Sequence, residues 1–288
     1  MLKLFIFEYM LRGSMFYEFY QLIGYWKKTL SSSSVLRQCA ETISFGTNAQ
    51  QYLVHFSPEV TDPTKPLIIY YHGGGWIFGK PELFARKAAV FTSLGYHVVM
   101  PAYRKVPRYH AGHMQEDIAL MLEKLKVLSI EGKIPSLDRI ILGGVSAGAN
   151  LASLIYFKKE ILANAGFSQS QFIGMFMYAP PLDLSMMRST PVLYRFAGSK
   201  KSKRFYNTSP INFITDSKAI PILCVHGTKD GLVKYNSSST FSIQYEKLYP
   251  GYMKYNTIKE CTHIEVASWA HTDNSLRREL VAWLYKIS

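Results

Sequence analysis

From about residue 41 the chain alternates short apolar runs with longer stretches whose apolar positions recur at helical spacing. That alternation predicts parallel strands joined by crossover helices. Strands are expected at Gln51 to Phe56, Pro66 to Tyr71, His97 to Met100, Arg139 to Gly143, Phe172 to Tyr178, Ile220 to Val225 and Met253 to Ile258. Helices are expected near 83 to 94, 115 to 129, 147 to 163 and 236 to 248, and from about 275 onward. The fold class is α/β, a doubly wound, mostly parallel central sheet with helices on both faces. The 288 residues fit one domain of this class.

Two segments interrupt the alternation, 1 to 38 and 184 to 215, and both are read as lid segments. In the first, Ser14 stands as a helix cap before an aromatic run with Phe16, Tyr17, Phe19, Tyr20, Ile23, Tyr25 and Trp26. Ser31 to Ser34 read as a short linker. The second carries Arg188, Arg195, Lys200, Lys201, Lys203 and Arg204 with no acid among them.

The candidate chemistry starts at Gly144-Val145-Ser146-Ala147-Gly148. A G-x-S-x-G string arises by chance in roughly one chain in ten of this length, so its surroundings matter. Here it follows the apolar run Arg139 to Gly143 and precedes the helical stretch Asn150 to Ile155, the strand, turn and helix setting such a nucleophile requires. The turn is tight enough that side chains at 144 and 148 would collide, which glycine avoids. Ser153, inside the following helix, reads as a packing residue.

Upstream, the run Pro66 to Tyr71 enters His72-Gly73-Gly74-Gly75-Trp76, leaving backbone N–H groups unobstructed at a strand end. Gly74 and Gly75, with Ala147 after the serine, are the expected oxyanion donors; His72 is expected to brace the loop. A serine hydroxyl needs a base, itself oriented by a carboxylate, in the chain order Ser, Asp or Glu, His. Asp230 ends His226-Gly227-Thr228-Lys229-Asp230 just after a strand, and only His263 and His271 follow it. His263, soon after the Met253 to Ile258 run, is the expected base, with His271 the alternative. Asp183 and Glu260 are alternatives to Asp230 as the carboxylate.

Composition narrows the partners. The net charge of +13 suits nucleic acid, an anionic membrane or acidic substrates, yet no nucleic-acid-binding signature accompanies it. Three widely spaced cysteines, Cys39, Cys224 and Cys261, suggest neither a disulfide framework nor a metal knuckle, and fit a reducing, cytoplasmic setting. Cys261 and His263 gather no further metal ligands in sequence, so no metal is expected. The apolar first eleven residues, broken by Lys3 and Glu8, are about half a membrane span and lack a signal-peptide pattern. Met1, Met10 and Met15 are all candidate starts.

Together, His72 to Trp76, Tyr103-Arg104, Gly144 to Gly148, His226 to Asp230 and His263 resemble the hormone-sensitive-lipase-like esterases of the α/β-hydrolase superfamily. Ser209-Pro210-Ile211 and the His-Gly-Thr-Lys-Asp string also resemble bacterial carboxylesterases related to arylformamidases. The resemblance spans about residues 50 to 270. It departs at Lys105-Val106-Pro107-Arg108, where the esterases carry Leu-Ala-Pro-Glu. It implies a cofactor-free serine hydrolase acting on short-chain or aromatic esters through Ser146, Asp230 and His263. The alternatives are an N-formyl aromatic amide hydrolase and a non-catalytic small-molecule binder on the same scaffold. The expected partner is a small-molecule ester, without nucleic acid. Peripheral membrane contact through the aromatic N-terminus and the basic 188 to 204 segment is a further alternative.

Overall fold

The computed structural model describes residues 11–32 and 40–288. Most of the apolar N-terminal stretch, the start candidates Met1 and Met10, Cys39 and the latter half of the Ser31 to Ser34 linker lie outside these residues. The first described helix, α1 (Met15–Ser32), is capped as expected: the Tyr17 N–H donates to Ser14 Oγ at 3.2 Å.

Strands β1 (Ala40–Ser44), β2 (Tyr52–Phe56) and β3 (Leu67–Tyr71) lead to helix α2 (Ala85–Thr92), strand β4 (Val98–Pro101) and helix α3 (Ala111–Ile130). Next come β5 (Ile140–Val145), α4 (Ala147–Phe157), α5 (Lys159–Asn164) and β6 (Phe172–Tyr178). The 184 to 215 segment holds two short helices, α6 (Pro191–Ala197) and α7 (Lys203–Tyr206). The chain closes with β7 (Ile222–Gly227), α8 (Tyr235–Leu248), β8 (Met253–Ile258), α9 (His263–Ala267) and α10 (Ser275–Ile287).

The eight strands form one sheet in the order β1-β2-β4-β3-β5-β6-β7-β8. Only the β1–β2 and β2–β4 pairings are antiparallel. Each strand read from the sequence is present within two residues of its expected ends. The sequence reading omits β1, an edge strand with no buried residue (Ala-Glu-Thr-Ile-Ser) that therefore carries no apolar run. It also omits α9, which is little more than one turn.

Central strands are buried on both faces, which is why they read as continuous apolar runs. In β3, Leu67, Ile69 and Tyr71 enter one core with Met114, Ile118 and Leu154, while Ile68 and Tyr70 enter the other with Phe91, Trp269 and Leu280. The first core is roofed by α3, α4 and α8, the second by α2, α9 and α10, with Tyr25 and Trp26 of α1 at its edge. The expected doubly wound sheet is therefore present. Its parallel strands all point their C-terminal ends the same way, so the loops after β3, β5, β7 and β8 open on one rim, where ligands gather in such folds. No helix among the described residues is long and apolar enough to cross a membrane.

Candidate active site

Ser146 stands between β5 and α4 with φ 54° and ψ −128°, a left-handed conformation that costs a non-glycine residue about 1–3 kcal/mol. Packing holds it there. Its N–H donates to the Tyr178 carbonyl at 2.8 Å, and the Ala149 N–H returns to its own carbonyl at 3.0 Å. A Cβ on Gly148 would overlap the carbonyl oxygens of Tyr71 and His72, and one on Gly144 would sit 2.7 Å from the Ala149 nitrogen. Both glycines are required because backbone occupies the space a side chain would need. Ser153 is buried and bonds the Asn150 carbonyl, consistent with a packing role.

The glycine loop after β3 lies directly against this turn: a Cβ on Gly73 would sit 3.4 Å from the Ser146 Cβ. Gly74 has φ 131° and Gly75 φ 61°. The N–H groups of Gly74 and Gly75 make no hydrogen bond among the described residues. Ala147, as the first residue of α4, has one of the N–H groups that a helix leaves unpaired. His72 is buried between Phe84 and Tyr103, ring centroids 5.3 and 4.7 Å away, and its Nδ1 bonds the Gly73 carbonyl at 2.8 Å. Burial, with Lys105 nearby, pushes its pKa down to about 3, so it is a neutral brace. Trp76 stacks on Phe196 of α6 at 4.1 Å, which places the 184 to 215 segment over this loop.

Asp230 and His263 come together although 33 residues separate them. His263 Nδ1 lies 2.7 Å from Asp230 Oδ2, and both side chains are almost completely buried. Asp230 Oδ1 accepts the N–H groups of Leu232 and Val233 at 2.9 and 2.7 Å, and His226 Nε2 stands 3.0 Å from Oδ2. Burial alone would raise the Asp230 pKa, but the charges and hydrogen bonds of His263 and His226 hold it well below the ordinary carboxylate range. Burial alone would likewise lower that of His263, yet the charge and hydrogen bond of Asp230, helped by Glu18, carry it above the usual imidazole value. With Nδ1–H donated to Asp230, Nε2 is the ring nitrogen left to act as a base. No hydrogen bond joins it to Ser146 Oγ among the described residues; such contacts often tighten only once substrate is bound.

The alternatives are occupied elsewhere. Asp183 caps its own turn through the N–H and hydroxyl of Ser185, at 2.9 and 2.6 Å. Glu260 is exposed, and its side chain faces Lys229 at 3.9 Å. His271 bonds Thr29 of α1 at 3.3 Å, and its ring lies tilted against that of Tyr25, centroids 5.0 Å apart. Burial and the neighbouring cations Lys87, Arg86 and Lys28 drive its pKa down to about 4.

Two groups escaped the sequence reading. His226 is fully buried, with Ser238 Oγ 2.6 Å from its Nδ1, and it adds a second imidazole to Asp230; its place in the same short string as Asp230 was the available signal. Glu18 of α1 is also fully buried, and its carboxylate accepts N–H groups from both the Asp230 loop and the His263 loop. A lone acid in an aromatic helix gave no signal of that contact.

The BD-FAE family model matches residues 54–245. Among curated proteins, the chain is 30% identical over 120 residues to the kynurenine formamidase of Salmo salar, an alignment covering 42% of this chain and 39% of that protein. It is 21% identical over 281 residues to the kynurenine formamidase of Danio rerio, covering 89% of this chain and 91% of that protein. Among solved structures, esterase B from Lactobacillus rhamnosis superposes with a TM-score of 0.71 at 20% identity, covering 93% of each chain.

Proposed function

The chain belongs to the BD-FAE family, an α/β-hydrolase family, and from that premise we propose that it is a serine hydrolase of carboxylic esters. The observation that carries the proposal is the buried Asp230–His263 pair at 2.7 Å, following in chain order a strained strand-to-helix turn that holds Ser146. His263 Nε2 takes the Ser146 proton as Oγ attacks the ester carbonyl carbon. The N–H groups of Gly74, Gly75 and Ala147 receive the developing oxyanion, each worth about 3 kcal/mol. Collapse of the intermediate breaks the bond to the leaving alkoxide, which takes the proton from His263. Water, deprotonated by the same imidazole, then hydrolyses the acyl-enzyme and frees Ser146.

A second reading, hydrolysis of an N-formyl aromatic amide by the same residues, is favoured by the similarity to the Danio rerio kynurenine formamidase, which runs over nearly the whole chain. The Trp76–Phe196 stack supports 184 to 215 as a lid over the acyl site. The test is turnover of short p-nitrophenyl esters and of an N-formyl aromatic amine by wild type and Ser146→Ala. Wild type is expected to cleave the esters, and Ser146→Ala to lose about 10⁴-fold or more in kcat. Equal rates in the two proteins would refute the proposal, and faster formamide turnover would move it to the second reading.

A further inference from the structure

Glu18 is the one acid on the inner face of α1, and its surroundings are those of a built joint. Its side chain is completely buried. Oε1 accepts the Gly231 N–H at 2.8 Å and the His263 N–H at 2.7 Å, and Oε2 accepts the Ile264 N–H at 3.1 Å. One carboxylate, more than two hundred residues away in sequence, therefore ties the loop carrying Asp230 to the loop carrying His263. The approach is so close that a Cβ on Gly231 would stand 2.9 Å from the Glu18 Cγ.

Other contacts from the same segment grip the His263 loop. Arg12 bonds both oxygens of Glu265 at 2.5 and 2.6 Å and the Glu260 carbonyl at 2.7 Å. Thr262 Oγ1 donates to Gln21 Oε1 at 2.6 Å. The charged or titratable groups facing His263 are Asp230 from the β7 loop, with His226 behind it, and Glu18 from α1; the Arg12–Glu265 pair lies on the outer side of the loop.

We propose that Glu18 is a positioning residue, resting on the serine-hydrolase reading above: it locks the acid and base loops together and sets negative charge against His263. Burying a carboxylate is costly without compensation, and burial does push the Glu18 pKa up, opposed by the charge of His263 and by the Gly231 and His263 N–H groups. A helix that only packed could fill the space with a methionine or glutamine. The acid supplies acceptors for three backbone donors and a charge that stabilises the imidazolium formed in each half-reaction.

Glu18→Gln keeps the shape, removes the charge and turns one acceptor into a donor; Glu18→Asp keeps the charge on a shorter arm. His263 is followed by its imidazole proton resonance, assigned with His263→Gln, and kcat and KM are measured on p-nitrophenyl acetate. In Glu18→Gln, His263 is expected to titrate about 0.5 pH or more below wild type. The acid limb of kcat/KM should move with it, and kcat should fall on the order of 10- to 100-fold with KM little changed. Glu18→Asp is expected to hold the titration near wild type while losing about tenfold in kcat. Ile23→Ser, on the exposed side of α1, is expected to change neither.

A folded Glu18→Gln with wild-type His263 titration overturns the proposal. If that variant does not fold, wild-type kcat in Glu18→Asp does so, and failure of both to fold reduces Glu18 to a structural role and also overturns it. The resonance reads His263 without turnover, so it separates this failure from that of the hydrolase reading. The latter would show as wild-type protein inert to esters and unlabelled by a fluorophosphonate.

Discussion

Replacing Asp230 by Asn preserves the side-chain outline but converts one of its acceptors into a donor. Oδ1 receives two backbone N–H groups, from Leu232 and Val233, whose direction is fixed by the chain. The asparagine oxygen must therefore stay on that side, and its NH₂ must face His263 Nδ1, now 2.7 Å from Oδ2. An NH₂ there demands that Nδ1 accept, which places the imidazole proton on Nε2, the atom needed as the base. The charge that stabilises the imidazolium is lost as well. Loss of the correct tautomer in a serine triad costs about 10⁴-fold in kcat, about 5 kcal/mol of barrier. The assay is kcat/KM on p-nitrophenyl acetate from pH 5 to 10, with circular dichroism to establish that the variant is folded. A folded Asp230→Asn within tenfold of wild type would refute the geometric reasoning, because no other described carboxylate contacts the His263 imidazole.

The remaining predictions concern pH and the glycine loop. Because His263 acts as a base only when neutral, and its pKa is raised above the ordinary 6.5, kcat/KM should rise with pH through an apparent pKa above 6.5; a midpoint below 6 would contradict the buried pair. Stability should move the other way: the charged pair stabilises the fold fully below about pH 6.5, and that contribution is lost as pH rises through the raised value, seen as a falling Tm. Gly74→Ala faces both a φ of 131° and overlap with the Phe78 carbonyl, so the loop should shift and kcat fall by about 10²-fold or more. Gly75→Ala meets no atom within 4 Å and should cost only about 1 kcal/mol of backbone strain; equal effects of the two substitutions would show that loop placement is not what matters.

What the sequence by itself determined was whatever depends on local pattern or chain order. Buried strands need continuous apolar runs, so β2 to β7 were legible for that reason; of the two edge strands, neither with a buried residue, β8 was read from its Met253 to Ile258 run and β1, Ala-Glu-Thr-Ile-Ser, was not. Ser146, Asp230 and His263 were legible as candidates because a tight turn demands glycines around the serine and the order of acid and base prunes the rest. Only the tertiary structure decided which carboxylate meets which imidazole, since Asp183 and Glu260 fit the order too and differ from Asp230 only in where they point. It also decided the polarity of α1. That helix packs Leu22, Tyr25 and Trp26 against the core, yet it turns Phe16, Phe19, Tyr20 and Ile23 outward and buries Glu18. Helical periodicity identifies two faces but cannot say which is inner when the inner one must satisfy three backbone N–H groups belonging to loops more than two hundred residues away.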